Sequence, residues 1–405
     1  MTRRRVVVTG IGVVSSVGIG KDAFWKNLLA GKSGISEVSS FDTSAYETHR
    51  GGEIKDFKDT VFIDKDKAGK VGRATRFAIA AAKLALEDAG SNAGPLARER
   101  MGVVMGTTMA DSQRLEEMDK TWVERGEGEV SPSLIPQYPG YMLSTALGFE
   151  FGLNGVISAI PTACSAGNYS IGFAFDLIRA GRADTMLAGG SDSFSRVAFT
   201  GFNRLFAVAP EKCQPFDKNR KGMMVGEGAG VLVLESLDSA TRRGAHIYSE
   251  ILGYGLSCDA HHMTAPSADG ISRVIKRAIR NSGIDTSDVD YISAHGTGTP
   301  ANDKAECAAM KEVFVDRYAK IPMSSIKSML GHTMGAASAI EAIACCLAAK
   351  EGAIPPTINY ETPDPECDID CVPNKSRKHP VRVALNNSLA FGGNDACLVV
   401  RGYED

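Results

Sequence analysis

The sequence predicts a layered α/β protein, and three observations carry that expectation. Short β-branched runs alternate with Ala-rich stretches of helical period, and the 43 glycines fall mostly at the turns between them. No Pro/Ser-rich linker or low-complexity tract divides the 405 residues. Such alternation is the signature of helices packed on a sheet. A chain of this length can bury one large core or two smaller ones.

Each element follows from its local pattern. The opening "MTRRRVVVTGIGVVSSVGIG" sets arginines before an apolar run, as a signal peptide does. Thr9, Gly10, Gly12, Ser15 and Ser16 break that run and no small-x-small cleavage site follows, so it reads as a buried strand, Val6–Val8, entering a glycine turn. Met101–Met105, Met186–Ala188 and Val231–Leu234 read as strands, and Thr75–Ala89 and Ile271–Asn281 as helices. One unit recurs: a short apolar strand, a small-residue turn carrying a chemical group, then an amphipathic helix. It spans Val156–Ala180, Val289–Phe314 and Ile321–Lys350. The recurrence suggests an internal duplication joined near Ser249–Ser257, giving halves of 1–250 and 251–405. The unpatterned Asn359–Pro380 reads as a long surface loop.

Composition excludes several function classes. Charged residues are 23% and the net charge is −3, so no global basic field points to nucleic acid. Any charged partner must meet a local patch. Nine cysteines, an odd number along a long chain, do not form a disulfide framework and suit a reducing cytoplasm. No segment nears about 18 uninterrupted apolar residues, so no membrane span is expected.

In "PTACSAGNYSIGFAFDLIRAGRAD" the thiol of Cys164 falls where an apolar run ends and a helical face begins, at Ala166, Tyr169, Phe173, Ala174, Leu177 and Ile178. A helix N-terminus offers free N–H groups and a dipole that favours negative charge. An effect of at most ~2 kcal/mol lowers a thiol pKa from ~8.5 by roughly one to one and a half units, which predicts a useful thiolate fraction near neutrality. The same N–H groups can hold an oxyanion. On this stretch alone, a small buried cysteine packing a strand–helix corner accounts for the residues equally well.

Two histidines repeat the design. His295 precedes a Gly-Thr-Gly-Thr turn, with Asp303 and Glu306 spaced like a helix cap and its reciprocal carboxylate. His332 precedes the helical pattern Ala336, Ile340, Ile343, Ala344 and Leu347, with Lys327 five residues upstream. A cysteine with two neutral imidazoles suits thiol acyl transfer, where the imidazoles donate hydrogen bonds to a developing enolate or oxyanion. Gly296 and Gly298 make half a dinucleotide fingerprint, and "TGIGVVSSVG" has Ser15 where a third glycine belongs, so nucleotide binding is not expected. Cys345 and Cys346 read as core. Cys367, Cys371 and His379 have no fourth partner for zinc, and no metal is expected.

With these units and "KGMMVGEGAGVLVLE", "DAHHMTAPSADG", "AHGTGTPANDKAE", "SIKSMLGHTMGAASAIEA" and "NNSLAFGGND" in order, nearly the whole chain resembles the β-ketoacyl-acyl carrier protein synthases of fatty acid and type II polyketide assembly. The resemblance implies the thiolase fold, two duplicated halves in a five-layered α/β/α/β/α sandwich, as a homodimer or a heterodimer with a homologous subunit. Residue by residue, it implies that Cys164 accepts the acyl chain and that His295 and His332 bind the malonyl thioester. It further implies that Lys327 orders the site by pairing with Glu341 or Glu306. Thr297 and Thr299 would contact the phosphopantetheine arm that the carrier protein brings, so no resident cofactor is implied. Phe391 would be the gate, its N–H sharing an oxyanion hole with that of Cys164.

The likeness also places Thr108, Met109 and Phe202 in an acyl pocket, with Leu134 reaching in from a dimer partner. Lys65, Lys67, Lys70, Arg73 and Arg76 offer a basic patch for an acidic carrier protein, with 70, 73 and 76 on one helical face; a solvated face explains them nearly as well. The family usually shows a glycine where Ala390 stands and Thr-Asn where Asn394 and Asp395 stand, which leaves the acyl substrate open between fatty acids and specialised polyketide or polyene chains. A thiolase acting on coenzyme A esters would need a second active cysteine, for which only Cys397 is available. A non-catalytic chain-length subunit would lack the nucleophile.

Overall fold

In the computed structural model, which describes residues 4–90 and 97–404, ten strands and a short hairpin strand form one sheet. The first five are β1 (Val6–Ser15), β2 (Met101–Gly106), β3 (Ile157–Ile160), β4 (Thr185–Asp192) and β5 (Gly228–Ser236). The second five are β6 (Ser249–Cys258), β7 (Tyr291–Ser293), β8 (Met323–Ser324), β9 (Val383–Ser388) and β10 (Asn394–Gly402). Their spatial order is β8-β7-β9-β10-β6-β1-β5-β4-β2-β3.

Each half therefore runs third, second, fourth, fifth, first. The pairing repeats too: β2 is parallel to β3 and β4, as β7 is to β8 and β9. The fifth strand of each half is antiparallel to its fourth and its first. The halves meet where Val6–Val8 pairs antiparallel with Ser249–Ile251.

Five helices build the layers: α1 (Arg73–Gly90), α2 (Ala166–Arg179), α3 (Ala268–Ser282), α4 (Pro300–Phe314) and α5 (Ala337–Glu351). α1 covers the first sheet half, while α3, with α4 beside it, covers the second. α2 and α5 pack against each other between the halves, completing an α/β/α/β/α stack. α5 is buried from Ala337 to Ala348 and apolar there apart from Ser338 and Glu341. Cys345 and Cys346 sit in that core. Gly167 lets the two central helices touch, since a Cβ there would meet the Ala339 nitrogen at 2.5 Å.

Two expectations change. Val6–Val8 does not enter a glycine turn; β1 continues to Ser15 through Gly10 and Gly12. Those glycines are where α1 lies against the strand, and a Cβ on Gly12 would meet the Ala81 carbonyl at 1.8 Å. The 359–380 stretch is anchored rather than a free surface loop. The Asp217 carboxylate accepts from the amides of Glu361 and Thr362 at 2.6 Å each, and Cys367, Cys371 and Val372 are buried. No helix among the described residues is long and apolar enough to cross a membrane.

Candidate active site

Cys164 follows β3 in a tight turn, Ala163–Ser165, that leads into α2; in the second half β8 leads through the turn Met334–Ala336 into α5. Both turns enter through a non-glycine residue in left-handed conformation, Ala163 at φ 50° and Met334 at φ 54°. Such residues cost about 1 kcal/mol or more and persist only where surrounding contacts enforce them. The duplication thus supplies two equivalent corners at the sandwich centre. One carries the thiol; the other carries His332 just before it. His295 follows β7.

One cleft brings them together, lined by Cys164, His295, His332, Thr297, Thr299, Phe202 and Phe391. The His295 and His332 rings meet edge to face, with centroids 5.5 Å apart. The N–H of Met334 donates to His332 Nδ1 at 3.0 Å, which leaves the Nε2 proton as a donor. Burial, then the charge of Lys327, holds both imidazoles well below the ordinary histidine pKa, so both are neutral. His295 Nδ1 has no hydrogen-bond partner.

The thiol departs from expectation. Burial pushes Cys164 up to about 12, against the opposing pull of Lys327 and of the amides of Phe391 and Cys164 itself. A helix-terminus effect of at most ~2 kcal/mol is outweighed by desolvation in a closed cleft. No resting thiolate exists near neutrality. Both amides do face the sulfur, the disposition an oxyanion hole requires.

Lys327 is buried, pairs with Glu341 and donates to the His295 carbonyl at 2.7 Å. Glu306 is not its partner: that carboxylate accepts from the amides of His295 and Gly296, both at 2.9 Å. Nor is Asp303 a helix cap. Thr299 occupies that position, and Asp303 accepts from the amides of Phe216 (2.8 Å) and Gly298 (3.2 Å). Both acids shape the Gly-Thr-Gly-Thr turn, because its backbone N–H groups point inward and need buried acceptors. Thr297 and Thr299 share a hydroxyl hydrogen bond of 2.9 Å within the cleft.

Of the proposed acyl-pocket residues, Phe202 lines the cleft, its ring 5.5 Å from Phe391. Thr108 and Met109 do not. Their amides both bond Asp192 at 2.8 Å, which draws the loop beneath the Gly335 turn. Leu134 lies half-buried on the turn Pro132–Gln137, away from its own chain's cleft. The basic patch also shrinks. Arg73 is held by buried Glu227 and Arg76 by Asp59, while Lys67 pairs with Glu150. Lys70 stands between two helices rather than on a face shared with Arg73 and Arg76.

Sequence reasoning missed Asp192. Beside Thr108 and Met109, this carboxylate accepts from the amides of Ala110 and Gly335 and the hydroxyl of Thr107. It thereby locks the turn after His332 to the end of β2. The only trace in the sequence is a lone acid after "AGGS" at a strand end. Ser338 and Ser388 were missed as well; their hydroxyls both donate to the Cys164 carbonyl, at 3.2 and 3.1 Å.

A buried thiol and two neutral imidazoles at the corners of a doubled α/β fold define a thiol-dependent condensing enzyme of the thiolase fold. Residues 3–240 match the family model of the β-ketoacyl synthase N-terminal domain and 248–361 that of its C-terminal domain. The 3-oxoacyl-[acyl-carrier-protein] synthase 2 of Synechocystis sp. is 40% identical over 413 residues, covering 100% of this chain and 99% of its own. The same-named protein of Staphylococcus aureus is 40% identical over 409 residues, covering 99% of each. Among solved structures, the ishigamide ketosynthase/chain length factor aligns with TM-score 0.96 at 44% identity, covering both chains fully. A type II polyketide ketosynthase, solved with its acyl-carrier protein and a hexaketide, aligns at 0.91 with 35% identity, again covering both chains fully. This chain belongs to the β-ketoacyl synthase family.

Proposed function

We propose that this chain elongates a carrier-bound acyl chain by decarboxylative Claisen condensation, with Cys164 as the acyl acceptor. The supporting observation is the single cleft that holds Cys164, His295 and His332. In the first half-reaction the thiol attacks an acyl thioester of the carrier. The Cys164 proton ends on the departing carrier thiol, and the tetrahedral oxyanion sits between the amides of Cys164 and Phe391. Because the thiol is neutral at rest, deprotonation accompanies attack rather than preceding it.

Malonyl-carrier protein then places its thioester carbonyl between His295 and His332. Loss of carbon dioxide leaves an enolate whose negative oxygen receives hydrogen bonds from the two neutral imidazoles. The enolate carbon attacks the acyl carbonyl, the carbon–sulfur bond to Cys164 breaks, and the thiolate takes up a proton. Lys327 holds His295 in place and, after burial, helps keep both rings unprotonated. Thr297 and Thr299 contact the phosphopantetheine that arrives with the carrier, and the condensation so written draws on no further cofactor. Exposed Lys65 and Lys70 are the part of the basic patch left to meet an acidic carrier. The nine free cysteines support a cytoplasmic location.

The thiolase-like alternative lacks its second reactive cysteine, since Cys397 lies fully buried within β10. A heterodimeric variant of the first reading is favoured by the 44% identity to the ketosynthase/chain length factor structure. Native mass measurement of the chain, alone and with a homologous subunit, separates the two assemblies. The activity is tested with purified protein, malonyl-carrier protein and acyl-carrier proteins of varied length. The expected result is carbon dioxide release, a β-ketoacyl product and acyl mass on Cys164. No product together with an unlabelled Cys164 overturns the reading.

A further inference from the structure

Two loops meet across the mouth of the cleft. One, 259–266, follows β6; the other, 390–393, carries Phe391 and leads into β10, and residues of both line the cleft. The Gly392 N–H donates to the Met263 carbonyl at 2.9 Å, and the Asp259 N–H to the Gly393 carbonyl at 3.1 Å. Gly393 adopts φ 73°, and a Cβ there would meet Asp259 Oδ1 at 1.9 Å, so the Asp259 carboxylate rests directly on the glycine.

Asp395 lies two residues further on, opposite Ser257 in the strand register. It is 1% exposed, and its Oδ2 has no hydrogen-bond partner. A buried carboxylate oxygen left unpaired is costly, and the neutral acid relieves most of that cost. Of the groups facing it, Asp259 and Glu306 oppose its charge, while the Ala390 amide and Arg273 favour it. Tyr169 of α2 also faces it, as a phenol held neutral by burial. Burial, followed by Asp259, pushes Asp395 up to about 8. An asparagine, usual here in the family the sequence resembles, could not ionise.

We propose that Asp395 is a positioning residue for the Phe391 loop: while it is the neutral acid the two backbone hydrogen bonds keep the mouth loops together, and as the carboxylate it repels Asp259 and parts them. This rests on reading Phe391 as the gate of the acyl site. Ionisation releases one proton to solvent and requires no other reactant. The mouth of this enzyme is then closed at acidic pH and opens as pH rises, a dependence that an amide at the same place would lack.

The test compares full-length protein with Asp395→Asn by amide hydrogen exchange in 259–266 and 390–394, at about pH 6 and about pH 9. Taking the ratio of the two proteins at each pH cancels the intrinsic effect of pH on exchange. The expected result is equal protection at the lower pH and severalfold faster exchange of the wild type at the higher. Asp259→Asn removes the charge that the Asp395 carboxylate repels and is expected to abolish the faster exchange at the higher pH in otherwise wild-type protein. Equal ratios at both pH values overturn the proposal, as does an Asp395→Asn protein that exchanges faster at both, which marks a packing role only. Exchange needs no turnover, so a failure of condensation would leave this result standing by itself. With turnover, kcat/KM is expected to show a step in the same pH range that Asp395→Asn abolishes.

Discussion

Lys327 donates to the carbonyl of His295 while pairing with Glu341 on α5, the helix that His332 precedes. One buried ammonium thus ties together the chain segments that carry the two histidines. Lys327→Met leaves Glu341 buried without its cation, and breaking such a pair costs about 3–5 kcal/mol. Urea unfolding is expected to show that loss, with part of it recovered in the Lys327→Met, Glu341→Leu double variant.

The same substitution has a signed effect on pH dependence. The Lys327 charge lowers the pKa of both imidazoles, so its removal raises them. Protonated imidazoles would appear at higher pH than in the wild type. The acid limb of the condensation rate profile is therefore expected to move toward neutrality in Lys327→Met, and an unmoved limb contradicts this role.

His332 donates through Nε2 because its Nδ1 is occupied by the Met334 amide. Loss of one preorganised donor to a developing oxyanion typically costs about 10²–10³-fold in rate. His332→Ala is expected to lose condensation by that factor while Cys164 still accumulates an acyl group. Intact-protein mass after mixing with an acyl-carrier protein distinguishes the two half-reactions.

Cys164 is neutral at rest, being pushed up to about 12 mainly by burial. The thiolate fraction, and with it the alkylation rate by iodoacetamide, is expected to rise about tenfold per pH unit between pH 7 and 9. A plateau in that range would mean a much lower thiol pKa. Lys327→Met removes a charge that favours the thiolate and is expected to slow the reaction at each pH.

Asp192 accepts five hydrogen bonds that join the end of β2 to the turn after His332. Asp192→Asn keeps the shape but turns an NH₂ group toward donors. Leaving buried amides unsatisfied costs about 1–3 kcal/mol each, so with the Thr108 and Gly335 amides facing that NH₂ a loss of about 2–6 kcal/mol is expected from denaturant unfolding. Condensation is expected to fall with it, since the turn that places His332 loses its anchor.

Much of the molecule was legible because its local chemistry is strict. The strand–turn–helix units around Cys164, His295 and His332 combine an apolar run, small residues at a sharp corner and a helical face, and each part can be read within about a dozen residues. Gly12 misled for the opposite reason. A glycine that admits a helix looks, in sequence, like one that makes a turn. Asp303 and Glu306 misled similarly, because a spacing that suits a helix cap also suits two acids serving a neighbouring turn.

What the sequence by itself determined was the alternation of strand and helix, the strand–turn–helix units that carry Cys164, His295 and His332, and the family motifs around them. Those properties are local, fixed by period, turn chemistry and residue type. Only the tertiary structure decided that the thiol rests protonated, that Lys327 pairs with Glu341 rather than Glu306, and that Arg73 pairs with Glu227. Each of these depends on burial and on charges from distant segments, quantities that exist only once the two halves have closed around their central helices.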